Sequence, residues 1–113
     1  MNKFLWGAST SGFQVEGGYN LGGKGLSTTD VRHVKEGIAD TKVASDHYHH
    51  FKEDILLMKE LGLKAYRFSV VWSRIHPLGN EEKPNEVGLK YYEDIFKECH
   101  KYGIEPLVTI NHF

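Results

Sequence analysis

The segment Leu63-Lys64-Ala65-Tyr66-Arg67-Phe68-Ser69-Val70 decides the fold. Tyr66, Phe68 and Val70 fall on one side of it, Ala65, Arg67 and Ser69 on the other, and a period of two is that of a strand. One face is aromatic and aliphatic, suited to being covered by helices. The other carries small residues and a cation, which suits an inward face lined by functional groups.

Working outward, Tyr48, Phe51, Ile55 and Met58 recur at helical spacing, with Ser45-Asp46 as a start signal and Gly62 as a stop. This predicts an amphipathic helix before the strand. After it, Leu89, Tyr92, Phe96 and Cys99 repeat the spacing from Asn85, read as the N-cap, to Tyr102, with Gly103 as the stop. A further strand is predicted over Ile104 to Asn111, and a short apolar one near the N-terminus, ahead of Gln14. The joints Leu61-Gly62-Leu63-Lys64 and Tyr102-Gly103-Ile104-Glu105 look alike, so one unit is repeated.

Strand, helix, strand, helix, strand implies parallel pairing, hence a doubly wound sheet or part of a barrel. The polar face of the 63–70 strand favours the barrel, because an open sheet covered on both sides is more often apolar on both. The expected fold class is therefore α/β, about three βα units from the N-terminal part of a (β/α)8 TIM barrel. A whole barrel takes eight units and ~250 residues, so residues 1–113 read as one partial domain, truncated at the end of its third strand.

At 40% hydrophobic and 26% charged the composition is that of an ordinary globular protein. A net charge of −1 with scattered basic residues gives no footprint for nucleic acid or an anionic membrane. The apolar stretch after Lys3, Phe4 to Gly7, is too short for a signal segment, and no run approaches the ~20 residues of a membrane span. A cytoplasmic address is expected, and the single cysteine, Cys99, fits a reducing compartment.

In a barrel the site lies at the C-terminal ends of the strands. There the chain offers Gln14 and Glu16, then a connection of about 30 residues, longer than the usual ~2–6. It also offers Val71-Trp72-Ser73-Arg74, and finally Asn111 and His112. Amides, an imidazole and an indole form a hydrogen-bonding and stacking set for a polyhydroxylated ligand such as a sugar.

The stretches FLWGASTSGFQVEGG, GGKGLSTTD, DHYHHFKEDILLMKELGLKAYRFSVVWSRIHP and LVTINHF resemble the N-terminal third of a family 1 glycoside hydrolase, the β-glucosidase and 6-phospho-β-glucosidase family. The resemblance covers almost the whole chain and implies a retaining glycosidase. It implies that Gln14 binds hydroxyls of the sugar at the cleavage subsite, that His112 binds a neighbouring hydroxyl, and that Arg67 supports the nucleophilic carboxylate. Glu16 resembles a supporting residue rather than a catalytic one. The acid/base Asn-Glu and the nucleophile Glu-Asn-Gly of the family have no counterparts in this stretch, whereas retaining hydrolysis needs two carboxyls about 5 to 5.5 Å apart. Asn85-Glu86 is better read as a helix cap with a dipole-favoured glutamate. The isolated chain is therefore expected to be inactive. GKGLSTTD and His112-Phe113, in place of His-Trp, resemble the 6-phospho branch.

No cofactor and no metal are expected. His47 and His50 share a helix face without the i, i+4 pair of a zinc motif, and Gly18 to Gly25 approaches a phosphate loop but lacks its hydroxyl; a loop around a sugar pocket accounts for it better. The expected partner is a small-molecule β-glucoside or 6-phospho-β-glucoside, with no nucleic acid and no membrane, and self-association through uncovered sheet edges follows if three strands stand alone. The alternative reading is a non-catalytic sugar-binding or assembly module.

Overall fold

A computed structural model describes residues 4–112. Phe113, one of the two marks of the 6-phospho branch, lies outside the described residues, as does Lys3. Three parallel strands form one sheet in the order β1 (Gly7–Ser9), β2 (Ala65–Ser69), β3 (Glu105–Thr109). Ser9 aligns with Arg67, and Arg67 in turn with Leu107. Ladder bonds run past the assigned ends, Lys64 N–H to the Trp6 carbonyl at 2.7 Å and Val70 N–H to the Thr109 carbonyl at 3.1 Å. The assigned strands are shorter than the 63–70 and 104–111 expected, although this hydrogen bonding carries the ladder on to Lys64 and Val70.

Between β1 and β2 lie two single turns, α1 (Gly12–Val15) and α2 (Thr28–Val31), and the long helix α3 (His47–Glu60). Between β2 and β3 come a further turn, α4 (Trp72–Ile75), and the helix α5 (Glu86–Lys101). None of the three short turns shows in the periodicity, since four residues complete barely one helical repeat. Gly62 and Gly103 end the long helices with φ of 83° and 69°, the left-handed stop that glycine adopts without a Cβ penalty.

The core lies between one sheet face and α3 and α5. Ile55, Tyr66, Phe68, Tyr91, Tyr92, Ile95, Cys99 and Ile104 are buried there, each large side chain contributing about 1.5–3 kcal/mol by leaving water. The buried stripe of α5 runs through Tyr91, Tyr92, Ile95 and Cys99, displaced from the expected one: Leu89 stays 37% exposed. On the opposite sheet face Arg67 and Leu107 are exposed. The 63–70 segment is two-faced in that Tyr66 and Phe68 enter the core, but on the other side only Arg67 is exposed, Ala65 and Ser69 being buried.

Candidate active site

Gln14 stands on α1, Arg67 in the middle of β2 and His112 just past β3. Together with Ser9, Thr10 and Thr109 they line one open cleft of about 200 Å³. Three residues, one from the turn after β1, one from within β2 and one from just past β3, are thereby brought to one place. The α1 turn is held at its base, where the Gly12 N–H donates to Ser69 Oγ at 2.7 Å and the Gln14 N–H to the Ser11 carbonyl at 2.9 Å. Its Gln14 side chain stays exposed. The Arg67 Nε–H donates to Thr109 Oγ1 at 2.9 Å, so its partner in this chain is a hydroxyl rather than a carboxylate. The His112 ring stacks on Phe13, with centroids 6.4 Å apart.

Glu16, two residues after Gln14, turns the other way. It is 4% exposed, and each of its oxygens has a partner: Oε1 accepts from Arg74 Nε at 2.9 Å and Oε2 from the Tyr92 hydroxyl at 2.6 Å. Burial raises its pKa above the ordinary carboxylate value, while Arg74, Tyr92 and Lys24 pull it back. A carboxylate so enclosed is a tie between elements, not a group presented to a ligand.

Arg74, offered in the sequence only as the end of the Val71-Trp72-Ser73-Arg74 stretch, is the residue whose role the sequence did not disclose. It is wholly buried, donates through Nη2 to the Gly17 and Gly18 carbonyls at 3.1 and 3.4 Å, and lies 4.4 Å over the Tyr48 ring. The Gly18–Gly25 loop therefore wraps around a guanidinium and takes no part in lining the Gln14 cleft, contrary to the sugar-loop reading. Asn85 occupies the expected cap position of α5 but makes no side-chain cap bond. Its Nδ2 donates instead to the Gly22 carbonyl at 2.7 Å and the Arg74 carbonyl at 3.1 Å. A cation set between Trp72 and Ile75 in a short apolar run was the one signal that marked Arg74 in advance.

Beside the first cleft lies a second, of about 330 Å³, bordered by Phe13, Trp72, Ile110 and His112. Trp72 is 51% exposed there, stacks on His76 with centroids 4.5 Å apart, and donates Nε1–H to the Gly79 carbonyl at 3.2 Å. The two histidines weighed for a metal have carboxylates beside them: His47 Nδ1 meets Asp54 at 2.7 Å, and His50 lies 3.7 Å from both Asp46 and Glu53. Asp46, the expected cap of α3, makes no side-chain cap bond. Among the described residues no helix is long and apolar enough to cross a membrane.

Comparison with known proteins follows the same lines. The model of glycosyl hydrolase family 1 matches residues 1–113. The chain is 50% identical over 97% of its length to the aryl-phospho-β-D-glucosidase BglH of Bacillus subtilis and 46% identical over 98% to a 6-phospho-β-glucosidase of Clostridium longisporum. It spans about a quarter of each, 25% in both cases. An aphid myrosinase structure superposes with a TM-score of 0.90 at 39% identity, over 96% of this chain and 25% of that one. A match along every residue, with these relatives and this geometry, shows that the chain belongs to glycosyl hydrolase family 1.

Proposed function

We propose that this chain is the N-terminal part of a retaining β-glycosidase barrel that hydrolyses β-glucosides, and 6-phospho-β-glucosides in particular. The observation that carries the reading is the meeting of Gln14, Arg67 and His112 in one cleft. Gln14 and His112 supply donors and acceptors for adjacent sugar hydroxyls, and Arg67 supports a nucleophilic carboxylate contributed from outside these residues. The phospho preference is supported by the names of the B. subtilis and C. longisporum relatives and suits a cytoplasmic enzyme meeting sugars phosphorylated during uptake. The catalytic pair must flank the scissile bond at about 5–5.5 Å. Glu16, the acid nearest Gln14 in sequence, is tied to Arg74 and Tyr92, so the 113-residue chain alone does not hydrolyse glycosides.

The outer strands β1 and β3 each keep one edge unpaired within this sheet, and Leu107 and Ile110 are exposed beside them. Self-association of the isolated chain through these edges follows from their chemistry.

The test is a chimaera in which this chain replaces the matching first quarter of the B. subtilis relative. Nitrophenyl β-glucoside 6-phosphate should be hydrolysed by the chimaera, faster than the unphosphorylated glucoside, and activity should collapse on Gln14→Ala. A chimaera that folds and is indifferent to Gln14→Ala refutes the assignment, as does turnover by the purified 113-residue chain.

A further inference from the structure

One line of side chains runs from the cleft through the protein to its far surface. Thr10, on the cleft rim, has its Oγ1 2.7 Å from the Tyr66 hydroxyl. That hydroxyl lies 3.5 Å from Nε2 of His47. The other ring nitrogen, Nδ1, is 2.7 Å from Asp54, whose side chain is 34% exposed. The three links join β1's end, β2 and α3, and cross the core where the Tyr66 side chain is all but sealed from water at 1% exposure.

We propose that His47 is a positioning residue which, acting through Tyr66, sets whether the Thr10 hydroxyl faces the cleft as an acceptor or as a donor. The inference rests on the saccharide reading of that cleft and adds its control. The argument is one of hydrogen-bond direction. The Asp54 carboxylate only accepts, so Nδ1 carries a proton and neutral His47 leaves Nε2 as an acceptor. Tyr66 then donates to Nε2, and its oxygen accepts from Thr10. The Thr10 proton points inward, and its lone pairs are left for a ligand hydroxyl.

When His47 takes up a proton at Nε2, that nitrogen becomes a donor. Tyr66 must accept from it and turns its own O–H to Thr10, whose proton is released towards the cleft. One proton is added, none is lost from Tyr66 or Thr10, and the two bonds His47–Tyr66 and Tyr66–Thr10 reverse while His47 Nδ1–H goes on donating to Asp54. Tyr66 can relay in this way because burial holds its hydroxyl protonated, its pKa pushed up to about 12.

The groups facing His47 come from every side. Asp54 lies on its own helix and Tyr66 on β2. Glu16, from the segment after α1, and Tyr91, on α5, stand across a cavity of about 10 Å³. Arg67 and His112 face Thr10 across the cleft, so the response of Thr10 has to be traced to His47 rather than to either of them.

The test is a pH titration of the isotopically labelled 113-residue chain by NMR, without ligand, following the His47 ring nitrogens and the Thr10 Cβ from pH 5 to 8. Thr10 should shift in one step with the midpoint of His47. The step should vanish in Tyr66→Phe, in which His47 still titrates, and in His47→Gln, which leaves His112 intact; either variant alone decides the matter. A Thr10 signal that stays flat while His47 titrates overturns the relay. So does a His47 that keeps one protonation state throughout, or a Thr10 step that survives either substitution. No sugar takes part, so failure here leaves the chimaera result standing, and failure of the chimaera leaves this titration unchanged.

Discussion

Arg74 and Glu16 meet in the interior, Nε to Oε1 at 2.9 Å, with side-chain exposures of 0% and 5%. The pair ties the segment after β1 to the segment after β2, and Gln14 stands two residues from one of its ends. A buried ion pair of this kind contributes less through mutual attraction than through what happens when one partner is lost.

Replacing Arg74 by Met leaves the Glu16 carboxylate enclosed without its cation and the Gly17 and Gly18 carbonyls without their donor. The expected loss is about 3–5 kcal/mol, a large share of a stability of about 5–15 kcal/mol. Glu16→Gln, which stays polar and loses the charge, should cost less. Urea unfolding followed by tryptophan fluorescence measures both, and equal, small losses would show that the pair carries no structural weight.

Asn85→Asp separates capping from clamping. Asp and Asn are equally good N-caps, so a capping role predicts no change. A carboxylate cannot donate to the Gly22 and Arg74 carbonyls, and it places a negative charge against both. The loss should be about 1–3 kcal/mol, and a variant as stable as the parent would restore the capping reading.

Gly88→Ala sets a favourable local term against a clash. Within a helix the exchange gains about 1 kcal/mol, but the added Cβ would stand 2.1 Å from the Arg74 backbone carbonyl. Backbone cannot rotate aside as a side chain can, so a net loss of about 1–3 kcal/mol is expected. A raised melting temperature would contradict the close approach of α5 to α4.

Asp30 gives a pH dependence with a definite sign. Burial raises its pKa, but the hydrogen bonds from Lys24 and Ser27 outweigh this and hold it below the ordinary 3.8. A carboxylate depressed on folding adds stability that is present above 3.8 and is lost as pH falls through the lower native value. Carbon-13 titration of the Asp30 carboxyl should show a midpoint under 3.8, moving upward in Lys24→Met as burial is left unopposed. An unmoved midpoint would remove Lys24 from the account.

Cys99 is fully buried, and burial pushes its thiol up to about 11. Because the thiolate is the reactive form, iodoacetamide at pH 8 should leave the native chain unmodified for as long as it stays folded and label it fully in urea. Rapid labelling of the native chain would place Cys99 outside the core.

Much of the architecture was legible beforehand because periodicity is a local property. The alternation of Tyr66 and Phe68 with Arg67 and Ser69, the helical spacing of Tyr48, Phe51, Ile55 and Met58, and the stops at Gly62 and Gly103 each follow from a few consecutive residues. Gln14, Arg67 and His112 were nominated one at a time, through a family pattern, with no means of seeing that they share a cleft. Which arginine would be buried was not legible at all. Arg67 and Arg74 sit in one short stretch, yet Arg74 finds Glu16 58 positions away, while Arg67 faces the open side of the sheet. The same holds for Asn85, whose composition suits a cap and whose neighbours make it a clamp. Strand register and the packing of α5 on α4 choose these partners, and neither is written in any window short enough to read by pattern.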